Sequence, residues 1–173
     1  MACSLTKGRL DFSCKTLVGG ISNIYVAAFD ANNFSAITAG KVTITASTPL
    51  FQFELLNDGN TFDESNEVAK DAGTSTFTQT GTFVLKGQDD LSQVALQNLS
   101  DVRTQVIVEY RDGSMRVAGL DFGADFTIGT TSGGAIGDMV GYNVAFTAVS
   151  ANLAPFIDDI SGATQEDTID PVA

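Results

Sequence analysis

Most nucleophilic and metal-dependent sites use cysteine or histidine, and this chain has two cysteines and no histidine. Cys3 and Cys14 flank residues 5–12, a predicted small hairpin turning at Lys7 and Gly8, so their spacing would permit a cross-strand disulfide. A reducing compartment favours two free thiols instead. Because the chain offers no histidine to activate a thiol, neither cysteine is predicted to act as a nucleophile.

Carboxylates are the remaining chemistry-bearing groups, and they fall into no metal-binding or catalytic pattern. Asp58 and Asn60 match the first two liganding positions of a calcium loop, but Phe62 occupies the third and the glycine is displaced. Without histidine, the Ser-His-Asp and Cys-His arrangements and imidazole-bound metals are excluded. The sequence therefore predicts that the protein is not an enzyme and needs no metal and no cofactor.

Charge sets this chain apart, because 21 acids stand against 9 bases and the formal net charge is −12. No basic cluster is present to release counterions from DNA or to bind an anionic membrane. Such a balance is typical of a highly soluble surface or of one that repels nucleic acid. No apolar run reaches the roughly 18 residues of a spanning helix and no signal peptide is visible, so we expect synthesis in the cytosol and no membrane partner.

The stretch over residues 74–127 organises the predicted fold. Alternating apolar residues predict a strand over 76–86, and Asp89 or Asp90 is placed to cap a helix over about residues 90–101. A lone helix cannot bury its own apolar stripe, so it must lie against the sheet. The stripe that would make this contact consists of Leu91, Val94, Ala95 and Leu99.

Residues 57–75 differ in character from the rest, with five acids, one lysine and two glycines. They show no helix or strand period, so the sequence predicts a long loop (about 57–75) between two strands. Such a loop is either a solvated excursion or a segment that becomes ordered only against another subunit. In the second case the contacting residues would be Asp58, Phe62, Asp63, Glu64, Glu67 and Asp71.

The complete pattern predicts about eight to ten strands and one helix. The fold class is therefore mainly β (α+β), an antiparallel β-sandwich or barrel with one short flanking α-helix. Residues 1–157 are predicted to form a single domain, and 158–173, with five acids and no base, an acidic flexible tail. The strand over 21–29 is apolar on both faces, which predicts cover by core on one side and by a helix or neighbouring subunit on the other.

Three passages of turns and strand edges carry a family resemblance. They are MACSLTKGRLDFSCKTLVGGISNIYVAAFD (1–30), VIVEYRDGSMRVAGLDFGADFTIG (106–129) and SGGAIGDMVGYNVAFTAVSANLAPFI (132–157). In these passages, and in the Gly-Asp…Gly-Tyr segment before the last strand, the chain resembles the tail tube proteins of tailed bacteriophages. The resemblance covers most of the chain but not residues 57–75 or the acidic tail.

What the resemblance implies is a structural role in the virion tail, after assembly in the host cytoplasm. Tail tube proteins form rings, usually hexameric, whose inner sheets join into one barrel, and the rings stack through a long loop with the helix outside. The implied partners are copies of the chain and other tail or neck proteins, while DNA passes without specific binding. Acids lining the bore would repel phosphates within about 8–10 Å at physiological salt, and Glu54 and Glu109 are the candidate luminal acids.

Two other functions stay open. A different virion ring protein, such as a tail terminator, a neck protein or a capsid-decorating protein, could share a small β-rich fold. A stand-alone β-sandwich that binds a glycan or a peptide would instead be a stable monomer with an exposed aromatic patch. Electron microscopy separates tubes from single rings, and size-exclusion chromatography with light scattering identifies a monomer.

Overall fold

The computed structural model describes residues 7–11, 18–56, 59–166 and 169, and within them it contains eleven strands and one helix. The mainly β prediction is confirmed, as is the position of the helix. The seven longer strands are β1 (Ile21–Ala28), β3 (Pro49–Glu54), β4 (Thr61–Ala69), β5 (Thr74–Lys86), β6 (Thr104–Tyr110), β8 (Ala124–Thr131) and β9 (Gly141–Ser150). The shorter strands are β2 (Lys41–Val42), β7 (Met115–Ala118), β10 (Phe156–Ile157) and β11 (Thr164–Gln165), and the helix is α1 (Asp90–Asp101).

The strands form one strongly curled, half-barrel sheet with the main order β11-β3-β1-β6-β8-β9-β5-β4. Neighbouring strands are antiparallel except for two short pairings, β2 with β10 and β3 with β11. β6 and β8 share only the pair Thr104 and Ala124, so the sheet bends sharply between them. The bend brings β1, β3 and β6 against β4, β5, β8 and β9.

The main core lies between these two halves. Ile24 and Val26 of β1 pack with Phe83, Phe126 and Phe146 of the other half, and the rings of Phe126 and Phe146 lie 5.5 Å apart between centroids. This close aromatic packing depends on Gly81 of β5, because a Cβ built there would come within 2.2 Å of the Phe146 ring. Burial of large aromatic side chains is the main stabilising contribution in this region.

A second, smaller core covers the opposite face of β1 and β6. Tyr25 and Ala27 of β1 pack there with Phe34, Val42 and Ile157. The prediction that β1 is covered on both faces is therefore correct. The second cover comes from other segments of the same chain, including β2 and β10, not from a helix or a neighbouring subunit.

Helix α1 is capped as predicted but turns a different face to the sheet. Asp89 is the N-cap and its carboxylate accepts a hydrogen bond of 2.8 Å from the backbone N–H of Ser92. Leu96 is the buried residue of the helix, whereas Leu91 and Val94 remain 63% and 58% exposed. The predicted stripe was wrong at those two positions because a neighbouring set of residues also has helical spacing and faces the sheet instead. This set includes one polar residue and consists of Ser92, Ala95, Leu96 and Leu99.

Residues 57–75 do not form the predicted long loop. β4 occupies Thr61–Ala69 and pairs with β5 along its whole length, from Thr61 with Thr82 to Ala69 with Thr74. The apolar period failed to reveal this strand because only Phe62 of β4 packs against the core. Backbone pairing with β5 supplies the hydrogen bonds that make the polar segment extended.

The predicted tail begins with residues that pack on the sheet. β11 pairs in parallel with Pro49 and Leu50, and Ile160 and Ala163 pack against the second core. Residues 158–166 therefore do not form the free tail that the sequence predicted from residue 158. Residues 167–168 and 170–173 lie outside the described residues, as do Cys3, Cys14 and Asp58.

Candidate functional site

One face of the β4, β5, β8 and β9 half is turned away from the core and consists largely of threonine. Pairing across β4, β5 and β9 aligns Asp63, Thr80 and Thr147, and Asp125 of β8 pairs with Thr147. We call this surface the threonine-rich face. Its members on the four strands include Thr61, Asp63, Ser65, Glu67, Thr76, Thr78, Thr80, Thr82, Asp125, Thr127, Ala145, Thr147 and Val149.

The charges on this face are unevenly distributed. Asp63, Glu67 and Asp125 are exposed acids spread over it. Lys86, the last residue of β5, is exposed on the same face because it follows Thr82 at the even spacing of a strand. The only base of these four strands therefore lies at one end of a hydroxyl-rich, acidic surface.

At the other end of β5 the sheet narrows to a two-stranded projection. β9 pairs with β5 only from Phe77 onward, so residues 67–76, which we call the arm, are held by β4–β5 pairing alone. Residues 67–75 are exposed, including Val68 at 65%. The tip turns at Gly73, whose φ of 66° suits glycine and whose N–H donates 3.2 Å to the Lys70 carbonyl.

A buried polar network anchors the arm where it leaves the body of the protein. The Glu64 side chain is 6% exposed, and its Oε2 lies 2.7 Å from Nη2 of Arg116 on β7. Its Oε1 accepts hydrogen bonds from the backbone N–H of Ala154 at 2.7 Å and from Gln79 Nε2 at 3.2 Å. Gln79 in turn accepts a 3.0 Å hydrogen bond from the N–H of Gly119. β4, β5, β7 and the segment before β10 are thereby joined by one carboxylate.

Arg116 is held in place from several sides. Its Nε and Nη2 donate to the Ala154 carbonyl at 3.1 and 2.8 Å, and its guanidinium lies 5.2 Å from the ring centroid of Phe156. Burial raises the pKa of the neighbouring Tyr110, while its hydrogen bond with Arg116 acts in the opposite direction. These contacts orient the guanidinium toward Glu64.

The candidate luminal acids Glu54 and Glu109 lie away from the threonine-rich face. Both flank Asn23 of β1, on the side of the second core. Glu109 accepts hydrogen bonds from Asn23 Nδ2 at 2.8 Å and from the Tyr25 hydroxyl at 3.0 Å. Burial, followed by this contact with Glu109, raises the pKa of Tyr25 to about 12. Glu109 therefore has an internal role in holding two side chains of β1.

The described candidate contact residues of segment 57–75 lie in different places. Phe62 is half-buried and stacks on Phe146 with centroids 6.0 Å apart, and Glu64 is the anchor. Asp63 lies on the threonine-rich face, while Glu67 and Asp71 are in the arm. Sequence reasoning missed Gln79 and Arg116; the signal for Gln79 was a polar residue at an inward position between Phe77 and Phe83.

Comparison with known proteins gives no further identification. No protein-family model, curated protein or solved structure matches this chain. Within the described residues no group of three or more histidine, cysteine or acidic side chains is arranged to hold a metal ion. A search of those same residues also finds no helix that is long and apolar enough to cross a membrane.

A groove of about 440 Å³ opens between α1 and the end of β8. Its lining is neutral and consists of Gln88, Gln93, Leu96, Gln97, Ser100, Ile128, Thr130 and Tyr142. Amide and hydroxyl groups of this kind hydrogen-bond to neutral polar ligands. The groove is thus suited to binding a neutral polar ligand.

Proposed function

We propose that this chain is a structural virion protein that assembles with copies of itself into stacked rings, forming the tube of a bacteriophage tail through which DNA passes. The observation that carries the proposal is the threonine-rich face. It is a broad, four-stranded surface on which hydroxyls and acids predominate. Such a surface stays hydrated and presents negative charge where phosphates would pass.

The edges of the sheet support the same proposal. β4 is the last strand on its side, and on the opposite side β11 covers only Pro49 and Leu50 of β3. Within the described residues, both borders leave backbone groups without a neighbouring strand. Exposed edges favour pairing with another chain, and a closed ring of subunits removes them.

The luminal assignment of the threonine-rich face has its own test. Asp63→Lys combined with Asp125→Lys should give tubes that retain double-stranded DNA at low salt, because the bore would then attract phosphates. Glu54→Lys is the matched control, since Glu54 lies on β3 in the other half of the curled sheet, and its tubes should release DNA as the wild type does. Retention by the control but not by the double variant would assign the bore to the half that contains β1 and β3.

Electron microscopy of the purified protein tests assembly itself. We expect long tubes from the wild type. Replacing residues 68–75 by Asn-Gly, which joins the paired residues Glu67 and Thr76 through a two-residue turn, should leave a folded subunit that forms no tubes. A larger deletion that included Glu64 would also remove the anchor, so loss of assembly would then be uninformative. Tubes of normal length from the variant with the shortened arm would contradict a role of the arm in assembly.

The groove beside α1 favours a second candidate, a stand-alone module that binds a neutral glycan or a peptide. Size-exclusion chromatography with light scattering separates the two candidates. A species that remains monomeric at high concentration and shows no tubes or rings by microscopy would support the binding module. Single rings that never stack would point instead to another virion ring protein, such as a terminator or neck protein.

A further inference from the structure

The two ends of β5 carry opposite charges on one face. Glu67 pairs with Thr76, and Lys86 follows Thr76 by ten residues of the same strand. Because side chains repeat every second residue, Glu67 and Lys86 both project from the threonine-rich face. At about 3.3 Å per residue, the strand places them roughly 33 Å apart.

Neither charge is neutralised within its own subunit. Glu67 and Lys86 are exposed, and within the described residues neither has an ion pair or a side-chain hydrogen bond. Two other described bases do have an acidic partner in the same subunit: Arg116 binds Glu64, and Lys41 binds Asp158. A free acid at one end and a free base at the other are complementary only between different copies of the chain.

The direction of the strand decides how copies can meet. A copy displaced along β5 by the length of the strand would bring Glu67 of its arm to Lys86 of its neighbour on a shared face. This contact is head-to-tail, and a repeated head-to-tail contact generates an open-ended stack. Pairing of two β4 edges about a twofold axis would instead bring the acids of β4, Asp63 and Glu67, toward like charges, which is unfavourable.

We infer that Lys86 is the docking residue for the arm of the next copy in the stack, where it binds Glu67; this inference rests on the proposed function. The contact would continue the threonine-rich face from one subunit to the next without a gap in its hydroxyl lining. It would also neutralise the one base on that face, leaving the assembled surface uniformly acidic.

Charge reversal tests this pairing. Lys86→Glu and Glu67→Lys should each raise the concentration needed for tube formation about tenfold, and the double variant K86E/E67K should restore it to about the wild-type value. Mixing the two single variants in equal amounts should also produce tubes, because every contact in an alternating stack is then between opposite charges. Lys41→Glu is the matched control, since Lys41 lies near the second core, and it should assemble normally.

The readouts are tube length by negative-stain microscopy and the pelleted fraction over a series of protein concentrations. The docking would be overturned if the single variants assembled like the wild type. It would also be overturned if the double variant and the mixture remained as defective as the single variants. In both cases the wild-type tubes would still support the proposed function. Absence of tubes from the wild type would overturn the proposed function and this pairing with it.

Discussion

The buried pair of Glu64 and Arg116 should couple strongly in stability measurements. Glu64→Gln keeps an acceptor for the Ala154 N–H and the Gln79 amide but removes the charge that faces Arg116. Arg116→Met keeps an apolar stem against Phe156 but leaves the carboxylate of Glu64 alone. Each single change therefore strands one charge in a site where the two side chains are only 6% and 21% exposed.

The expected magnitude follows from that burial. Breaking a buried pair by removing one partner costs about 3–5 kcal/mol. We expect the lower end, about 3 kcal/mol, because Arg116 keeps its two hydrogen bonds to the Ala154 carbonyl and Glu64 keeps two N–H donors. The double variant E64Q/R116M removes both charges and should cost about 1–2 kcal/mol, well below the sum of the single changes. The coupling energy is then about 4–5 kcal/mol, a large part of the typical stability of a domain.

Urea denaturation at neutral pH, with linear extrapolation, measures these free energies of unfolding. The exposed pair Lys41–Asp158, also 2.7 Å apart but with side chains 58% and 70% exposed, is the matched control. Its cycle, from K41M and D158N, should give a coupling of about 0–1 kcal/mol that declines with added salt. A coupling for Glu64 and Arg116 as small and as salt-sensitive as the control would refute the account of a buried anchor.

Two further changes test the cores. Gly81→Ala should lower the free energy of unfolding by about 1–3 kcal/mol because its Cβ would displace the Phe146 ring. Gly129→Ala in β8 is the control, because its Cβ would meet only ordinary contacts, and it should be nearly neutral in the same urea assay. Equal effects of the two variants would contradict the packing argument. Because the folded state raises the pKa of Tyr25 from 10.0 to about 12, its contribution to stability is complete below pH 10.0 and is lost as the pH rises to about 12. In an absorbance titration of tyrosinate, Glu109→Gln should move this step to lower pH, and an unmoved step would show that Glu109 does not influence Tyr25.

Apolar patterning was enough to find the strands whose inward residues are hydrophobic. The sequence predicted strands over 76–86 and 21–29, and the structure has Thr74–Lys86 and Ile21–Ala28. It missed β4 because the inward position at residue 64 holds a glutamate, whose partner Arg116 comes from a distant strand. The residue pattern of a single sequence cannot show that Glu64 and Arg116 form an ion pair, because the bend between β6 and β8 brings β7 over β4.

The candidate site was only partly accessible for the same reason. Threonines alternate over residues 76–82, a spacing that places them on one face of a strand. The alignment of Asp63 and Asp125 beside them depends on the register of three neighbouring strands. Glu109 looked like a free acid in the sequence, but its carboxylate is held by Asn23 and Tyr25. Strand register, more than residue type, therefore decides which acids share a surface.

An arm that is already a hairpin changes how assembly would proceed. A segment that becomes ordered only on contact must lose backbone entropy of about 1–2 kcal/mol per residue when it binds, which weakens binding for a given contact area. Here the strands of the arm are paired in the single subunit and fixed at their base by Glu64, so most of that cost has been met during folding. Weakening the anchor should consequently slow tube formation even where the arm itself is unchanged. Glu64→Gln, assayed at a temperature where it remains folded, should therefore elongate more slowly than the wild type while Gly129→Ala elongates normally, and equal elongation rates would show that the base of the arm need not be rigid.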